Sequence, residues 1–171
     1  MSDNITNNIN FYINECGCTA GEECMFSPSY GNFWHTGYVV INPGDPLPLN
    51  NSSTAVTGGI SRSGNVINIP QAGDYLISYS VTIFPENRVA VAGINLNGSL
   101  VPNAQTRSQF ADNNNNLGGD CLTVLINQSI LTIPANSTLF LQSDPDVGNQ
   151  TFALCDGNGN NVNISIVKLS Q

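Results

Sequence analysis

The stretch Asp74–Phe84, DYLISYSVTIF, decides the fold class. Tyr75, Ile77, Tyr79, Val81 and Ile83 occupy one parity, and Leu76, Ser78, Ser80, Thr82 and Phe84 the other. A period of two is the signature of a strand, here with one large apolar face and one mixed face. That is the pattern of one wall of a sandwich, and it makes the five apolar residues candidates for a core or a trimer face.

Short apolar runs punctuated by Gly, Pro and Asn repeat the theme along the chain. Further strands are expected in NFWHTGYVVI (32–41), NVINI (65–69), VAVAGINL (89–96), CLTVLI (121–126), SILTI (129–133), STLFLQ (137–142) and NISIVKL (163–169). Asn97-Gly98 is a strong two-residue hairpin signal. Helical periodicity never persists over three turns, and no fixed repeat is present. About eight to ten strands, each under ten residues, predict an all-β, antiparallel two-sheet jelly-roll sandwich. The loops are expected at 111–120 and 155–162.

Composition narrows the function. Apolar residues make up 40% of the 171, enough for one domain with a core. Charged residues make up only 9%, against roughly 25% in an average soluble domain. Twenty-six asparagines supply much of the polar surface instead. Such a surface is hydrated but weakly self-repelling, despite a net charge of −8, and suits close packing of copies. Arg62, Arg88, Arg107 and Lys168 are scattered, so no basic patch suits nucleic acid or an anionic membrane. No apolar run is long enough to span a bilayer, and MSDNITNNIN lacks the features of a secretory signal. Synthesis in a cytoplasm is the expectation.

Residues 1–29 differ from the rest and read as an N-terminal connector arm, with the folded domain spanning 30–171. The arm contains ECGCTAGEEC, with Cys16, Cys18 and Cys24; Cys121 and Cys155 lie in the domain. Five is odd, so not every thiol can pair within one chain, and all five are candidates for intersubunit disulfides. A bond between Cys16 and Cys18 would be strained. On an extended arm both point to one side, towards one neighbouring surface. Ile9, Phe11 and Ile13 alternate just upstream and are candidates for strand addition to a neighbour's sheet edge.

Other chemistry is weakly supported. Cys16, Cys18, Cys24 and His35 match no common zinc spacing. His35 is the sole histidine, and no nucleophile elbow accompanies it, so the chain is expected to be non-enzymatic. A strand histidine satisfied by its neighbours is the simpler expectation. The stretch from Asp156 mimics the start of a calcium loop but carries Asn161 and Val167 where an EF-hand has Gly and Glu; with Asp144-Pro-Asp146 it reads as a turn. No catalytic residue, metal or cofactor is assigned. Trp34 is a candidate interface anchor.

YGNFWHTGYVVINPGDPLPLNN, GGISRSGNVINIPQAGDYLISYSV, AGINLNGSLVPNA and NISIVKL, in that order, resemble the TNF-like jelly-roll domain of bacterial exosporium and spore-surface glycoproteins of the BclA type. The resemblance covers about 140 residues and implies a compact homotrimer at the spore surface with no catalytic activity. It also implies trimer contacts from one sheet. The chain departs from that family in lacking a Gly-X-Y collagen tract; its cysteine-bearing arm is similar in layout to subunits of endospore appendages. Two functions are therefore expected in competition. One is a structural protein of the endospore surface, made in the mother-cell cytoplasm and assembling as linked trimers into an exosporium layer or fibre, alone or with other spore-surface proteins. The other is an adhesion module whose trimeric head recognises a carbohydrate or receptor.

Overall fold

In the computed structural model, residues 28–84, 89–111, 121, 123–145, 151–155 and 159–170 are described. Cys16, Cys18, Cys24, Ile9, Phe11, Ile13 and Asp156 lie outside them. The strands run β1 (Tyr30–His35), β2 (Val39–Ile41), β3 (Asn51–Ser52), β4 (Ser61–Ser63), β5 (Val66–Ile69), β6 (Gly73–Phe84), β7 (Val89–Leu96) and β8 (Ser99–Leu100). A single helical turn, α1 (Asn103–Thr106), precedes β9 (Ser108–Ala111), β10 (Thr123–Ile133), β11 (Ser137–Ser143), β12 (Phe152–Leu154) and β13 (Val162–Ser170).

They form two antiparallel sheets. The larger has the order β2-β12-β6-β13-β1-β3, with β10 on the other edge of β6; the smaller has β4-β5-β11-β7-β8, with β9 also on β7. The expected two-sheet jelly roll is what the chain forms. Asn97 (φ 53°) and Gly98 (φ 84°) both take positive φ in the β7–β8 hairpin, as the Asn-Gly signal requires.

Two strands exceed the expected length. β6 has 12 residues, and CLTVLI and SILTI merge into the 11-residue β10. The polar pair Asn127-Gln128 does not interrupt it, because both residues stay in register with Tyr79 and Ser78 of β6. Gln128 lies on the exposed face, and Asn127, on the inward parity, is satisfied by donating from Nδ2 to the Arg107 carbonyl, so neither forces a turn.

Tyr75, Ile77, Tyr79, Val81 and Ile83 all point into the sandwich and are buried. The larger apolar face of β6 is therefore core, and the mixed face is the outer one. Ile164, Ile166, Leu125, Leu131 and Phe33 join it from neighbouring strands, facing Ile67, Ile69, Ile94, Leu139 and Leu141 of the smaller sheet. Leu47 and Leu49, on the connection between β2 and β3, are fully covered; Leu47 N–H donates to the Leu141 carbonyl. Fit is by complementary size, since Tyr79 reaches across to the small residues of β7. Its hydroxyl lies 2.9 Å from the Ala92 carbonyl and 2.8 Å from that of Thr106. Burial pushes this phenol well above its ordinary pKa.

Two further devices hold the sandwich. Arg107 Nε lies 2.6 Å from Asp144 Oδ2, and the carboxylate is wholly buried. The Arg107 stem crosses Gly93 of β7, where an added Cβ would come within 3.2 Å of Arg107 Cγ. At one end of the sandwich Cys121 and Cys155 form a disulfide, their Cα atoms 5.6 Å apart. Both had been candidates for bonds between subunits. They are paired within the chain instead, because Cys121 just precedes β10 and Cys155 just follows β12, and both strands pair with the same end of β6.

Candidate interaction face

Because the apolar parity of β6 faces inward, Leu76, Ser78, Ser80 and Thr82 are displayed on the outside of the larger sheet. Strand register builds rows from them, running across the strands. Tyr30 pairs with Val167, Val167 with Leu76, and Leu76 with Ile130. That row is apolar over four adjacent strands. The next is Asn32, Ser165, Ser78 and Gln128, and beyond it Trp34, Asn163, Ser80 and Ile126.

Ile126 and Ile130 are 65% and 56% exposed, and Val124, Val167, Leu169 and Tyr30 are also exposed. Six such side chains share one face, in two apolar groups on either side of a polar row, which is more than scattered single residues. The polar row between them is internally satisfied. Asn32 Nδ2 donates to Ser165 Oγ at 2.7 Å and to Asn163 Oδ1 at 3.0 Å, and Gln128 Nε2 donates to Ser78 Oγ at 2.8 Å. Covering this face therefore strands few polar groups.

These rows carry no carboxylate, ammonium or guanidinium group. Asp74 sits beyond their end, accepting hydrogen bonds from Thr132 and Ser170 that hold its carboxyl below the usual range. Lys168 points inward, its Nζ donating to Gln71 Oε1 at 3.0 Å. Among the described residues, Asp74 is thus the charged group that borders these rows, and none lies within them.

Several residues singled out in the sequence have structural places. Trp34 stands half-exposed on the outer face, flanked by Asn51 of β3 and Asn163 of β13. His35 points into the sandwich, Nδ1 at 2.9 Å from Asn161 Oδ1. Asn161 also donates from its backbone to the His35 carbonyl and from Nδ2 to the Cys155 carbonyl, tying β1 to the disulfide end. Asp144 faces Arg107 and is not at the surface. Ile126, Ile130 and Val167 were missed, although VLI and IVKL carry apolar residues at both parities. Two apolar faces on one strand signal that its outside is covered as well.

No protein-family model matches the chain, and no curated protein matches it in sequence. Solved structures do match in fold. The structure of Eiger TNF from S. frugiperda is 12% identical, with TM-score 0.65, covering 85% of this chain and 95% of that one. Murine APRIL at pH 8.5 is 11% identical, with TM-score 0.57, covering 83% and 99%. The globular domain of zebrafish complement 1qA is 7% identical, with TM-score 0.54, covering 80% and 94%. The sandwich is a TNF-like jelly roll.

Proposed function

We propose that this chain is a non-enzymatic structural protein of the bacterial endospore surface. It assembles as homotrimers through the outer face of its larger sheet, and the trimers are linked through the N-terminal arm into an exosporium layer or appendage fibre. The observation that carries the self-association is the uncharged row Tyr30–Val167–Leu76–Ile130 with Ile126 above it. Its occupant is two further copies of the chain, since a face without charge accepts a copy of an acidic protein without repulsion. The spore surface follows from the sequence resemblance given above, and antibody labelling of intact spores of the source organism tests it.

Sedimentation equilibrium of the full chain under reducing conditions is expected to give three times the 18.2 kDa subunit mass. The double variant I126D/I130D is expected to sediment as a folded monomer, because a carboxylate buried in an apolar interface costs several kcal/mol. A wild-type monomer at micromolar concentration overturns the trimer.

The arm supplies the link between subunits. With Cys121 and Cys155 occupied, Cys16, Cys18 and Cys24 remain, and three thiols cannot all pair among themselves. A boiled, non-reducing gel of oxidised protein is expected to show covalent multimers, lost in the triple Cys→Ser variant at 16, 18 and 24. A wild type that runs wholly as monomer removes the covalent link while leaving the trimer standing.

A further inference from the structure

A cleft opens on the smaller sheet, away from the self-association face, between the β4–β5 hairpin and the start of β11. Its volume is about 280 Å³, and its lining includes Gly59, Ser61, Asn68, Pro70, Asn136 and Ser137. That is close to the lower end of small-molecule sites, roughly 300–1,000 Å³, and suits one or two sugar rings.

We infer that this cleft binds a neutral saccharide. The first reason is the number of hydrogen-bonding groups left over. Ser61, Asn68 and Asn136 make no side-chain hydrogen bond among the described residues, whereas Ser137 Oγ is engaged with Pro134 and Asn97. Register brings Ser61 beside Asn68, and Asn68 beside Thr138 at the head of β11. A carboxamide presents an acceptor and a two-proton donor side by side, which matches two adjacent hydroxyls of a pyranose.

The second reason is the apolar wall. The Pro70 ring lines the cleft, offering C–H surface to the C–H face of a sugar. Gly59 keeps that wall accessible: it sits at φ +76°, and a Cβ there would come 2.9 Å from Pro70 Cγ.

Charge defines the ligand class. No ionisable side chain lines the cleft. Arg62, next to Ser61 in the chain, is turned elsewhere, with Nη1 donating to the carbonyls of Leu49 and Gly64 at 2.8 and 2.7 Å and Nε to Ser52 Oγ at 3.1 Å. An anionic sugar would meet no counter-charge on a protein of net charge −8. The cleft belongs to the sheet opposite the self-association face, so binding there goes beyond the assembly role and is independent of it.

The test is amide-detected NMR of the full-length protein, titrated with methyl glycosides of neutral hexoses and N-acetylhexosamines, with glucuronate as the charged control. Saturable shifts at Asn68, Asn136 and Ser137, side-chain amides included, are expected at millimolar sugar. The double variant N68A/N136G should weaken the binding by about tenfold or more, the effect of losing two modest hydrogen bonds. Glycine at 136 preserves the positive φ of 58° that this turn needs, so the fold and the sedimentation behaviour should be unchanged. The inference is overturned if no neutral sugar gives a saturable shift, if the variant binds as the wild type does, or if glucuronate binds as tightly as the neutral sugars.

Discussion

Replacing Asp144 with alanine is expected to lower the unfolding free energy by about 3–5 kcal/mol, the usual cost of removing one partner of a buried ion pair. In a domain of this size that is a fall of roughly 6–20 °C in the thermal midpoint. Asp144 is wholly buried with Arg107 Nε at 2.6 Å, and the guanidinium would keep its charge in a place only 15% exposed. The paired replacement R107L/D144L should recover most of the loss, since neither charge is then stranded. Calorimetry or denaturant unfolding of the three variants checks it. A midpoint for D144A within about 2 °C of wild type, a change of 1 kcal/mol or less, would show that the pair carries no such load.

The second large effect concerns the disulfide. The variant C121S/C155S is expected to lose about 4 kcal/mol of stability, from the chain entropy of the freed loop. The two cysteines are separated by 34 positions, and the loop between them contains β10, β11 and β12. Unlike Asp144→Ala, this change leaves no buried charge behind. The loss should appear equally in the wild type under reductant, and unfolding with and without reductant measures it. Equal stability in the two conditions would mean that the open chain is already held as tightly by its strands.

The fold class was legible because the β6 pattern is local. Alternation from Tyr75 to Ile83 announces a strand with two unlike faces within nine residues. It does not say which face is inward, since the pattern looks the same from either side, and the apolar parity was left as core or trimer face until packing placed it in the core. The outer row was hidden for a different reason. Tyr30, Leu76, Ile130 and Val167 come from four distant parts of the chain, and register alone makes them neighbours. Asp144 was read with its own neighbours as an acidic turn; its real partner, Arg107, lies beyond local reach. The cysteines divided in the same way. Parity in the sequence required an unpaired thiol, but only the shared end of β6 joined Cys121 to Cys155.

That closed segment alters what a protease can do to the molecule. A single backbone cut anywhere between Cys121 and Cys155 severs the chain without separating its halves, because the two pieces stay joined at the sulfurs. The cleaved protein has the mass of the intact one plus one water, and its fragments part only when a reductant is added. Damage in that stretch is an opened ring rather than a lost piece.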